Sequence, residues 1–175
     1  MQKHKEYGKS WNVILKGAKR DVEYEIKEYS KEYEKEVIDL LIEVCVEEYG
    51  LHHYKDGLID HVKSDEAKKR WVLLDDGKVI ATVCYIERSK EIAEIKKVYV
   101  KKAYRKSGIG KRMVNMVIDY LKDTHQYESI YVGTSDHFES ARIFYEKLGF
   151  KFKEYEGNGY LLEMKIGKNV TENIA

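Results

Sequence analysis

The chain has 175 residues, 43% of them hydrophobic, with 32 Lys and Arg against 31 Asp and Glu for a net charge of +1. That length suits one domain with an adequate core. Balanced charge argues against the clustered basic footprint of a nucleic-acid binder, and no apolar run reaches the length of a membrane span, so neither nucleic acid nor membrane is an expected partner. Residues 1–20 are a polar, basic extension in which only Trp11 to Leu15 is apolar, without the apolar core of a secretory signal. Cys45 and Cys84 sit in apolar segments as small buried hydrophobes, and two cysteines without a leader argue against a disulfide framework. The cytoplasm is the expected compartment. Proline is absent, so turns rest on Gly, Asn, Asp and Ser.

The first strand is expected at Val22 to Tyr29, diluted by Glu and Lys. Ser30 reads as the N-cap of a helix to about Tyr49, with Val37, Leu41, Val44 and Cys45 as its apolar stripe. The carboxylates Glu32, Glu34, Glu36, Glu43, Glu47 and Glu48 read as that helix's solvated face, a surface that also suits a cationic acceptor. Leu51 to Lys69 holds a poorer helical pattern. Trp71 to Leu74 and Val79 to Ile86 are β-rich and joined through Asp75-Asp76-Gly77-Lys78, a strong hairpin signal. Ile92 to Val100 is the next strand. Gly108 to Asp123 is a helix with Ile109, Met113, Val117 and Leu121 on one face, followed by a strand at Ser129 to Gly133. Glu139 to Leu148 is a helix closed by Gly149, and Phe150 to Tyr155 and Tyr160 to Ile166 form a last hairpin around Gly157-Asn158-Gly159. Residues 168–175 are expected to fray.

The order β-α-α-β-β-β-α-β-α-β-β predicts an α/β fold, a mixed sheet covered by helices in a single domain over residues 21–167. The most informative segment, Arg105-Lys106-Ser107-Gly108-Ile109-Gly110-Lys111, follows the apolar strand Ile92 to Val100 and opens the helix that begins at Gly108. Unpaired first-turn amides and the helix dipole favour an anion there, and glycine lets a phosphate come close to the backbone. It is not a P-loop, because Arg105 stands where that motif has Gly, nor a dinucleotide fingerprint, because Met113 stands where a small residue is required. What remains, Arg-x-x-Gly-x-Gly after a strand, resembles the acetyl-CoA loop of the GNAT superfamily of N-acetyltransferases. Ser140-Ala141-Arg142-Ile143-Phe144-Tyr145-Glu146-Lys147-Leu148-Gly149-Phe150 is similar to a second GNAT segment, which follows the fifth strand of that fold. The family's Asn three residues before the Ala is Phe138 here, its frequent Pro is Lys102, and its frequent Gly is Lys106.

The resemblance implies transfer of an acetyl group from acetyl-CoA, as co-substrate, to an amine of a small molecule or peptide. It assigns Arg105, Lys106, Ser107, Gly108, Ile109, Gly110 and Lys111 to the pyrophosphate, mainly through the backbone, Val98, Tyr99 and Val100 to the pantetheine arm, and Ser140 to a cofactor contact. It makes Tyr145 the acid for the departing thiolate; the same tyrosine also suits plain packing. Glu94 lies eleven residues before Arg105, a spacing similar to the catalytic glutamate of histone-type members. A carboxylate between apolar neighbours suits a general base with a raised pKa, an ion pair with Lys96 on the same strand face is the structural alternative, and a water chain is a third route. His52, His53 and His61 lack the spacing of a metal site, so no metal is expected. The family's common dimer makes a homodimer an expectation. The reading from another class is a non-catalytic acyl-CoA-binding module that regulates a partner.

Overall fold

Near-continuous apolar runs at Trp71 to Leu74 and Val79 to Tyr85 build strands buried on both faces, and a 3.6-residue apolar period builds the helices. The computed structural model describes residues 10–16, 21–64, 66–124 and 127–167. The tail at 168–175 lies outside the described residues. The elements run β1 (Ser10–Lys16), β2 (Asp21–Glu28), α1 (Glu34–Ile42), α2 (Lys55–Lys63), β3 (Lys69–Asp75), β4 (Lys78–Ser89), β5 (Ile92–Val100), α3 (Ile109–Thr124), β6 (Ser129–Ser135), α4 (Glu139–Lys147), β7 (Lys151–Glu156) and β8 (Gly159–Lys165). The expected order is present, preceded by β1, which pairs antiparallel with β2 from Ser10↔Lys27 to Lys16↔Asp21.

The residues fall into two compact units, Met1–Cys84 with Lys97–Met113, and Tyr85–Lys96 with Val114–Ala175; β4, β5 and α3 contribute to both. In the first unit the strand order is β1-β2-β3-β4. Val37, Leu40, Leu41, Val44 and Cys45 from the first helical segment and Leu58 and Val62 from α2 pack on Val72, Leu74 and Val79. The expected stripe is therefore the buried one. Two local details differ. Ser30 does not cap, because its hydroxyl donates to the Glu32 carboxylate at 2.8 Å, and the helix opens with a 3-10 turn at Lys31–Tyr33. It closes with a π-helical turn at Glu43–Glu48, which rotates the last residues relative to an α-helical continuation.

In the second unit β6 is central. It pairs in parallel with β5 from Ile92↔Ser129 to Ile95↔Val132 and antiparallel with β8 from Ser129↔Lys165 to Ser135↔Gly159. β7 pairs β8 antiparallel. Gly159 is fixed by close approach, since a Cβ there would stand 2.4 Å from the Thr134 carbonyl oxygen. Ile109, Met113, Val117 and Leu121 are all buried, as the stripe of α3 predicts. Among the described residues no helix is long and apolar enough to cross a membrane.

The β3–β4 turn has Asp76 at φ 47° and Gly77 at φ 73°, the two left-handed residues of a type I′ hairpin. Gly77→Ala is expected to cost about 1 kcal/mol, because a Cβ in left-handed backbone is strained even where space is open. Urea denaturation of the two proteins measures the difference.

Candidate active site

In the first unit, β5 leads through a 3-10 turn at Lys102–Tyr104 into the segment Arg105–Gly108 and then α3. The turn is pinned from two sides. The Lys101 amide donates to the Ile80 carbonyl at 2.8 Å, and the Tyr104 hydroxyl donates to Asp75 at 2.7 Å. Lys106 (φ 61°) and Gly108 (φ 86°) are both left-handed. A Cβ on Gly108 would meet nothing within 4 Å, so conformation rather than crowding selects glycine there. The Gly108 carbonyl accepts from the Arg112 amide at 2.9 Å, the first full turn of α3. The amides of Ile109, Gly110 and Lys111 thus precede any i−4 carbonyl of the helix. Lys106, Lys111 and Arg112 are exposed around them. Amide donors at a dipole's positive end, an open glycine and surrounding cations fit a diphosphate.

Arg105 behaves differently from the surrounding lysines. Its guanidinium donates to both Glu48 oxygens, at 2.8 and 2.7 Å, while its Nε donates to the Val100 carbonyl at 2.9 Å. The side chain is a brace across the loop mouth, which leaves the backbone of the segment to meet an anion. Glu48 is the last residue of the π-helical turn. The acidic run is therefore not uniformly solvated: Glu48 holds Arg105, and Glu36 accepts the Val79 amide at 2.9 Å. Val98, Tyr99 and Val100, at the end of β5, are half-buried. They follow Lys97, whose φ of 53° breaks the regular strand just past the end of the β6 ladder at Ile95↔Val132. The Tyr99 hydroxyl accepts from the Cys45 thiol at 3.2 Å. Burial pushes that thiol's pKa up, so it stays protonated.

In the second unit, Glu94 is buried on β5. Arg88 Nε stands 3.6 Å and Lys96 Nζ 3.9 Å from its oxygens, and a Cβ on Gly133 would stand 3.3 Å from Oε1. Arg88 also bonds Glu156 and lies over the Tyr131 ring at 5.6 Å. The ion pair with Lys96 expected from strand alternation is present, with Arg88 as a partner the sequence did not reveal. Tyr145 is the buried residue of α4, set between the rings of Phe144 and Phe150 at centroid distances of 5.1 and 5.8 Å. Burial raises its phenol well above the ordinary value of about 10, which keeps it protonated at neutral pH. Ser140 is exposed in the first turn of α4, and Phe138 is half-buried just before it.

One constellation escaped the sequence reading. His61 on α2 and Cys84 on β4 meet at 3.7 Å between Nε2 and Sγ, with Glu66 3.3 Å from Nδ1. Cys84 and His61 are buried, so the thiol and the imidazole pack the interior of the first unit, while Glu66 is exposed.

Comparison with known proteins agrees with this geometry. Residues 28–150 match the sequence profile described as the Acetyltransferase (GNAT) family, and the chain belongs to that family. A GNAT-family acetyltransferase from Staphylococcus aureus Mu50 superposes with a TM-score of 0.71 at 22% identity, covering 82% of this chain and 99% of that one. The PaiA N-acetyltransferase of Thermoplasma acidophilum, solved in complex with coenzyme A, gives 0.70 at 19% identity, covering 82% and 99%. At these identities the likeness is one of fold. N-acetylaspartate synthetase of Xenopus tropicalis is 33% identical over 82 residues, 46% of this chain and 30% of that protein. The chain spans about a third of the length of the curated relatives it matches.

If Arg105 braces the loop, Glu48→Gln should release it. Amide exchange at Lys106 to Gly110 is expected to speed up about tenfold, read by hydrogen–deuterium exchange, with global melting little changed.

Proposed function

We propose that the protein transfers the acetyl group of acetyl-CoA to a primary amine of a small molecule or peptide, by direct attack of the amine on the thioester. The observation that carries this reading is the amide row Ile109 to Lys111 behind the left-handed Gly108, a diphosphate cradle at the end of a strand. The coenzyme A in the PaiA structure and the amine acetylation in the relatives' names support it. In this scheme the loop takes the pyrophosphate, Val98, Tyr99 and Val100 lend backbone groups to the pantetheine arm, and Ser140 contacts the cofactor. The amine nitrogen bonds the carbonyl carbon, the C–S bond breaks, and the Tyr145 phenol protonates the leaving thiolate. Glu94, or a water chain in its place, takes the proton the amine loses. The two free, buried cysteines suit a reducing compartment such as the cytoplasm.

Three substitutions test this in a thiol-release assay over a panel of amines, polyamines and peptides. Gly108→Val is expected to remove coenzyme A binding. Tyr145→Phe should lower kcat about a hundredfold with cofactor affinity unchanged. Because burial raises the phenol's pKa, it should contribute no alkaline fall in kcat below about pH 10. Glu94→Gln should lower kcat with coenzyme A affinity unchanged; an unaltered kcat assigns the proton to a water chain. Phe138 in place of the family's Asn favours the second reading, a non-catalytic acyl-CoA-binding module. Saturable cofactor binding with no turnover on any acceptor supports that reading instead.

A further inference from the structure

We propose that the first unit holds a separate anion site, for a small ligand bearing a carboxylate or phosphoryl group, at the end of β3 remote from the phosphate loop. A cavity of about 310 Å³ lies where the end of β2 meets the end of α2 and the start of β3, lined among others by Tyr29, Ser30, Lys31, Ser64, Lys68 and Arg70. Among the described residues, five lysine and arginine side chains line it against the two carboxylates of Glu28 and Glu34. Glu28 is already engaged by Lys69 at 3.0 Å.

Arg70 is the residue that calls for a ligand. It is 6% exposed. Its Nη2 donates to the His61 carbonyl at a long 3.4 Å, and its guanidinium lies 5.1 Å from the centre of the Tyr29 ring. Among the described residues it has no carboxylate partner. A guanidinium offers five donors in a planar fork suited to a carboxylate or phosphate, and burying one without a counter-ion is costly. The exposed Lys31 and Lys68 supply further donors at the rim, whereas the Ser30 and Ser64 hydroxyls already donate to Glu32 and to the His61 carbonyl.

The site is distinct from the cofactor loop. Arg70 stands near the start of β3, whereas Asp75, which holds Tyr104 beside the loop, stands at its end. Five residue steps along the strand separate them by about 17 Å. The inference therefore does not depend on acetyl transfer.

Titration calorimetry at constant ionic strength tests it, with inorganic phosphate and malonate as probes and chloride as the reference. Saturable binding of at least one probe is expected, with a roughly millimolar or tighter dissociation constant. The better probe identifies a phosphoryl or a carboxylate ligand. Lys31→Ala with Lys68→Ala should weaken binding about fivefold, and Arg70→Lys by more. If Arg70→Lys does not fold, the double lysine variant still decides. Gly108→Val should leave the anion affinity unchanged, which separates this site from the phosphate loop. No saturable binding of either probe, affinity unchanged in the double lysine variant, or binding lost in Gly108→Val would each overturn the proposal.

Discussion

The bidentate pair between Arg105 and Glu48 is the constraint from which the rest of the site follows. A guanidinium at the mouth of a phosphate loop is the natural competitor for the anion. Here it is held by a carboxylate from the π-helical turn and by the Val100 carbonyl at the end of β5. Charge-assisted, two-point contacts of this kind fix orientation as well as distance. The brace ties the first helical segment, the end of β5 and the loop into one framework inside the first unit. In the proposed scheme anion recognition falls to backbone amides, whose direction is set by the helix itself and does not depend on a rotamer. The Lys102 and Lys106 side chains are exposed and add positive charge beside the loop, and Lys106 holds a left-handed φ of 61° that a glycine would adopt without strain.

The strand leading into the loop is the second element of the design. β5 is regular where it pairs with β6, and Lys97 breaks it immediately afterwards. A left-handed non-glycine residue is costly, and such strain tends to persist where a strand must stop pairing and offer its backbone elsewhere. Val98 to Val100 follow Lys97, and in the proposed scheme they are the residues that meet the pantetheine arm. In the second unit, Tyr145 gains its chemical character from burial between aromatic rings, while Glu94 is set in a lattice of cations.

Local signals were legible in the sequence, and long-range ones were not. Asp76-Gly77 announced its turn because only left-handed-tolerant residues fit there. The stripe from Ile109 to Leu121 announced α3 because one face of a helix must be apolar. Gly108 and the following amides were legible because a helix start is defined by its own few residues. The Glu48–Arg105 pair joins positions 57 apart, and nothing local to either marks it. Glu48 read as one more solvated carboxylate because an α-helical period was extended through a segment that is π-helical. Ser30 misled because the Glu32 carboxylate competes for its hydroxyl. His61 and Cys84 meet only through packing of α2 on β4, and β1 was concealed by the polar residues around Trp11 to Leu15.

The central claim is that the first amides of α3 grip a diphosphate. The most direct measurement is a titration of the isotopically labelled protein with coenzyme A, followed by amide NMR. The account predicts large, saturable shifts at Ile109, Gly110 and Lys111, reproduced in part by pyrophosphate alone. Saturable coenzyme A binding that leaves those three amides unmoved would contradict it.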